Sequence, residues 1–172
     1  MIERDDIVVA VIEAAPARRL ISRVRLQKSV YLLERLGFES GLEFEYHHYG
    51  PYSRELDNAT ADAKALGRID EKILHRSSDG AAYSVFESSN VSRSERAIYG
   101  TLGEKKAREF VAKFADTNVT VLELAATIDW LWRFEEVPDW RSEVEKRKKA
   151  KVGGGKLERA VELLKTLDLS PP

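Results

Sequence analysis

Cysteine is absent from the chain. That excludes disulfides, thiolate nucleophiles and thiolate metal sites together. Histidine is scarce, with three residues in 172, and no His-Glu-x-x-His run or other metal-spaced histidine pair occurs. An excess of one charge is also missing. The formal net charge is −1, so nothing draws the whole molecule toward a polyanion or an anionic bilayer, and any such attraction must be local. No apolar run approaches the roughly 18 residues that span a membrane. The opening MIERDDIVVAVIEAA puts acids where a secretory leader has a positive segment. The expectation is a cytoplasmic protein without a membrane partner. Apolar residues make up 43% and charged residues 33%, a globular composition long enough for one domain with a core of its own.

Hydrophobic spacing outlines the elements. Residues 2–15 read as a helix stopped by Pro16. The next segment sets Leu26, Val30, Leu33 and Leu36 on one stripe, with Ser22 to cap it and Gly37 to end it. GLEFEYHHY alternates, with Leu42, Phe44, Tyr46 and His48 on one side and Glu43, Glu45, His47 and Tyr49 on the other. Gly50-Pro51 reads as a break, and Ser53 as the cap of a third helix that runs to Gly67. Residues 69–86 read as two strands about Asp79-Gly80. Three helices followed by a hairpin is the winged-helix order.

The second half reads as helical. Capping boxes at Ser92/Glu95, Thr101/Glu104 and Thr120/Glu123 predict helix starts near 93, 102 and 121. A further helix follows Pro138 and Asp139. After the Gly153–Gly155 break, a closing helix carries Leu157, Val161, Leu164 and Leu167 on one face. The expected fold is mainly α with a small β-hairpin. A winged-helix-like half over residues 1–90 and a helical half over 91–172 pack as one unit.

Chemistry has few footholds. Glu43, Glu45 and His47 share a strand face, but i, i+2, i+4 spacing spreads them over about 13 Å of backbone, so a solvated outer face is the better reading. Ser53 follows two histidines, yet a serine at a helix start is more simply a cap. GGGKLE lacks the spacing of a phosphate loop, and no strand precedes it. No catalytic residue, cofactor or metal site is expected.

Basic residues cluster twice. Arg18, Arg19, Arg23, Arg25 and Lys28 fall in an acid-free stretch, the candidate contacts to nucleic acid. Residues 141–151 have a balance of +4. The third helix, by contrast, sets Arg54 and Lys64 against Glu55, Asp57 and Asp62, and the hairpin from Arg68 to Gly80 is neutral. A winged-helix reader of a polyanion should not carry acids there. Trp130 and Trp132, two apart on one helix, do not share a face. Packing of both into the core is the first reading; the alternative is that one packs and the other meets a partner or the helix after Pro138.

RLQKSVYLLERLG followed by FEYHHYGPYSREL resembles the SocA-like antitoxin (Panacea) domain family and its YwgA-like group. These proteins carry a Leu-Gln-Lys-x-x-Tyr-Leu helix and a Tyr-Gly-Pro-Tyr-Ser corner. LELAATIDWL and AVELLKTLDL resemble the later helices of that group. The matching positions are Leu26, Gln27, Lys28, Tyr31, Tyr49, Gly50, Pro51, Tyr52, Ser53 and Leu56. Ser29 stands where a leucine is expected. The resemblance implies a helical, non-enzymatic module that binds a protein, either a toxin or a substrate delivered for proteolysis. Tyr49, Tyr52, Arg54, Trp130 and Trp132 are the candidate partner-binding residues. A DNA-binding winged-helix regulator is the alternative.

Overall fold

A computed structural model of the chain describes residues 3–88 and 96–172. Helix α1 (Arg4–Ala14) is apolar on nearly every side, with Ile7, Val8, Val9, Val11 and Ile12 all buried. Pro16 ends it in a single 3-10 turn. The chain then forms a short strand that the spacing of residues 16–22 does not announce, β1 (Arg19–Ile21). Helix α2 (Arg23–Arg35) starts as expected, with Ser22 Oγ accepting from the Arg25 amide. It ends before Gly37, whose φ of +107° is left-handed.

The alternating segment is shorter than the sequence suggests. It forms β2 (Glu45–His47), and Gly50-Pro51 is not a break. It opens β3 (Gly50–Tyr52), which pairs antiparallel with β2. His48 and Tyr49 form the two-residue turn between them, so His48 is exposed instead of facing inward with Tyr46. Proline is tolerated in a two-stranded ribbon because its missing N–H can face away from the ladder. Helix α3 (Arg54–Ala65) follows, with Ser53 Oγ accepting from the Leu56 amide. Strands β4 (Ile69–His75) and β5 (Ala82–Ser88) make the expected hairpin. Strand β5 also pairs with β1, giving one antiparallel sheet in the order β1-β5-β4.

The helix expected near residue 93 lies outside the described residues. After a 3-10 turn (Arg96–Tyr99), α4 (Glu104–Asp116) begins two residues later than its capping box predicts, at Gly103. Helix α5 (Val119–Arg133) begins two residues earlier than predicted. Asn118 caps it through its side chain, not Thr120. Helix α6 (Trp140–Lys148) starts at Asp139 as expected. Helix α7 (Lys156–Thr166) buries Leu157 and Leu164, with Leu167 buried just beyond its end and Val161 half-buried.

Every residue of α5 from Val121 to Asp129 is buried, the mark of a helix packed on all sides. It contacts α2, α6, α7 and β3. The two halves therefore share one core, running from Ile7 and Ile12 through Leu33 to Leu122 and Ile128. No helix among the described residues is long and apolar enough to cross a membrane.

Candidate interaction site

Strand β3 and the start of α3 are held to α2 by Gln27 and Lys28, and α2 is tied in turn to α5 by Tyr31 and Arg35. Gln27 Nε2 donates to the Ser53 carbonyl and Gln27 Oε1 accepts from the Ser53 amide, both at 2.9 Å. Gln27 thus bonds both main-chain groups of the bend, supplying the Ser53 amide with an acceptor and the Ser53 carbonyl with a second donor beside the Asp57 amide. One residue on, Lys28 Nζ donates to the Pro51 carbonyl at 2.6 Å. Tyr31, one turn further, donates to Asp129 of α5 at 2.6 Å, and Arg35 reaches the same carboxylate oxygen at 2.8 Å. The Gln-Lys-x-x-Tyr spacing and the Gly-Pro-Tyr-Ser bend are two sides of one joint.

Gly50 has to be glycine on two grounds. Its φ is +87°, and a Cβ there would stand 2.7 Å from Thr127 Oγ1 on α5. Ser29 is wholly buried, and its Oγ has no hydrogen-bond partner.

A cationic cluster lies beneath the turn. Lys28 is 1% exposed. Burial lowers its pKa to about 7, with Lys148 and Lys151 acting in the same direction against the favourable charge of Glu123. Lys148, also buried, donates to the His48 carbonyl at 3.2 Å and to Glu123 at 3.3 Å. Its own pKa is lowered by burial. Lys151 bonds both Glu123 oxygens and sits 4.9 Å over the Tyr49 ring. The lysines in this cluster clamp the turn to α5 and α6, and their acid sits on α5 (Glu123), far away in sequence.

The sequence-predicted partner residues separate into three places. Tyr49 is exposed at the tip of the turn. Tyr52 is half-buried, donates to Asp57 and stacks against His47, while Arg54 is exposed at the start of α3. Trp130 and Trp132 diverge, and core packing of both is corrected: neither is fully buried. Trp132 is exposed beside Arg133, Glu136 and Pro138. Trp130 is half-buried in a chain of rings that sequence spacing did not bring together. Its neighbours are Tyr31 at 6.2 Å, Tyr46 at 6.3 Å and Phe134 at 4.7 Å, and Phe44 meets Tyr31 at 5.4 Å. Phe134 is 54% exposed. The strip runs from β2 onto the end of α5, with Arg35 over Phe134 and Arg147 over Tyr46. Arg147 also bonds Glu135 twice and Glu143 once. The pattern of β2 and the pattern of α5 each show their own aromatics, but only the tertiary fold puts them edge to edge.

The acid-free basic stretch is not a free surface. Arg18 bonds Glu13, Arg19 pairs with Glu87, and Arg23 forms a two-pronged pair with Glu71. Arg25 donates to the carbonyls of Phe114 and Thr117 at the end of α4. Lys28 is buried on Pro51. As a contact to nucleic acid Lys28 is therefore corrected: a phosphate cannot reach it. The acids and carbonyls that these cations meet come from α1, the hairpin, α4 and β3, which local sequence does not reveal.

Glu43, Glu45 and His47 do not converge. His47 Nε2 lies 2.8 Å from Glu45 Oε1 with both side chains open to solvent, and the Glu43 amide bonds Glu55. Among the described residues no three His, Asp or Glu side chains gather as a metal site would require. Ser53 Oγ is wholly buried and occupied as the α3 cap.

No family model matches the chain. It is similar to the uncharacterised protein YwgA of Bacillus subtilis (strain 168), with 35% identity over 52 residues. That match spans 30% of this chain and 31% of the relative.

Proposed function

We propose that this chain is a non-enzymatic protein-binding module, antitoxin-like or adaptor-like, whose partner is a toxin or a protein handed on for proteolysis. The observation that carries this reading is the aromatic strip Phe44–Tyr46–Trp130–Phe134. Large rings that stay partly open on a rigid helix and ribbon supply contact area at low entropic cost, and such rings dominate protein interfaces. Arg35 and Arg147 border the strip, as a polar rim borders an apolar interface centre. The joint beneath it holds the strip fixed, which lowers the cost of binding. Its polar groups are engaged with the protein's own main chain and with the carboxylates of Asp129 and Glu123.

Co-purification from the native host with mass spectrometry tests the reading. The wild-type chain should retain a stoichiometric partner, and Phe134→Glu, with an unchanged circular dichroism spectrum, should lose it. Recovery of the wild-type chain alone under gentle conditions overturns it.

A DNA-binding winged-helix regulator is the second reading. It draws on the succession α1, β1, α2, α3, β4, β5, interrupted by the β2–β3 ribbon between α2 and α3, and on the β1-β5-β4 sheet. It is weaker because Arg23 and Lys64, two of the cations at α3, both pair with Glu71. Duplex binding that weakens steeply with salt would favour it. No binding at low salt removes it.

A further inference from the structure

Strand β4 is an edge. Sheet order places β5 on one side of it and no described strand on the other. Arg76 N–H donates across the hairpin to Ala81. In an antiparallel ladder successive residues alternate direction, so the main-chain groups of Glu71, Ile73 and His75 point outward. Seven residues long, without proline or bulge, this edge also carries two of the chain's most exposed aliphatic side chains, Ile73 at 55% and Leu74 at 38%. An open strand of that kind is a template for another strand.

We propose that the occupant is a second copy of this chain, its β4 pairing antiparallel with the first about a two-fold axis at Ile73. Charge selects the register. Centring on Ile73 sets Asp70 opposite the copy's Arg76, Glu71 opposite its His75 and Lys72 opposite its Leu74. No like charges face each other. Ile73 meets its own copy on one face, and the two Leu74 side chains are diagonal neighbours on the other, so one register covers both exposed aliphatics. Each neighbouring symmetric register does worse. Centring on Lys72 opposes identical charges, and centring on Leu74 opposes Lys72 to Arg76, a repulsion that cross-strand pairs do not tolerate well. Centring on Glu71, whose carboxylate is already paired with Arg23 and Lys64, sets Leu74 opposite Arg68 beyond the strand and leaves it uncovered. Lys72 thus acts as the filter against slipped pairings. This surface is separate from the aromatic strip on β2 and α5, and the inference does not depend on the function proposed above.

The lack of native cysteine makes the register directly testable. In the Ile73-centred pair the two position-73 Cα atoms lie about 5.5 Å apart, inside the roughly 4.4–6.8 Å span of a disulfide. The two position-72 Cα atoms are diagonal and fall at or beyond that limit, about 7–8 Å apart. Mild oxidation should convert Ile73→Cys to a covalent dimer and leave Lys72→Cys largely monomeric. Sedimentation velocity should show the wild-type chain dimerising as concentration rises, and Ile73→Lys, folded by circular dichroism, should remain monomeric. A wild-type chain monomeric at every concentration overturns the proposal, as does a dimer that survives Ile73→Lys. Cross-linking at position 72 equal to that at 73 also overturns it, because the pairing would then lie in another register or the collision would be non-specific.

Discussion

Lys28 places an amine in a site 1% exposed, and the site favours the neutral form. A neutral amine still has N–H groups to donate, so the bond to the Pro51 carbonyl survives loss of the charge. The consequence is a stability that depends on pH. Below about pH 7 the ammonium is present in folded and unfolded chains alike, and folding buries a charge. Between about 7 and the ordinary value of 10.5 the unfolded chain holds a proton that the folded chain has released. Stability therefore rises with pH across that window. Lys148, lowered by burial as well, adds to the same slope. Lys28→Met should flatten the rise, measured as unfolding free energy in urea at pH 7, 8 and 9. It should also lower stability at high pH by about 1–3 kcal/mol, because the Pro51 carbonyl loses its donor. An unchanged slope would show that Lys28 ionises in the folded chain as it does in water. The signal in the sequence is its place, two residues after Leu26 and two before Val30, inside the apolar stripe of α2.

Helix caps decide where elements start, and they separate what local pattern reveals from what it does not. Ser22, Ser53 and Asp139 were legible because each follows a break and stands directly at the start of its helix. Before α5 two candidates compete. Thr120 and Glu123 have capping-box spacing, but Glu123 is drawn inward to meet Lys148 and Lys151. Asn118 Oδ1 instead accepts from the Thr120 and Val121 amides. Asn118→Ala should therefore cost about 1 kcal/mol, while Thr120→Ala should stay within about 0.5 kcal/mol of wild type. Urea midpoints at constant m-value measure both. Equal costs, or a larger loss at Thr120, would restore the capping box. Strand β1 escaped the reading for a different reason. Three residues have too short a period to register, and Leu20 becomes a strand residue only because Phe86 lies opposite. The same holds for the basic stretch beside it, where nothing near in sequence hints that Glu87 and Glu71 will neutralise Arg19 and Arg23.

At the scale of the whole molecule the two halves are coupled where Gly50 meets α5. The ribbon reaches across to Thr127, Lys148 reaches back to the His48 carbonyl, and Tyr31 ties α2 to Asp129. The helical content and the hairpin were legible from period and turn residues. This coupling was not, because it rests on contacts between residues up to 100 apart in sequence. It sets the cooperativity of unfolding. All three tryptophans lie in the C-terminal half, at 130, 132 and 140, so their fluorescence reports α5 and α6, whereas far-ultraviolet circular dichroism reports every helix. If the halves unfold as one unit, the two probes give coincident urea transitions. Gly50→Ala then becomes a lesion in one half that the other half must feel. A Cβ at φ +87° and 2.7 Å from Thr127 Oγ1 combines left-handed strain with overpacking, together about 2–4 kcal/mol. The tryptophan signal should shift by the full amount although no tryptophan adjoins residue 50. A circular dichroism transition that moves while the fluorescence transition stays in place would mean that the helical half holds its structure without the ribbon, and that the shared core is two cores in contact.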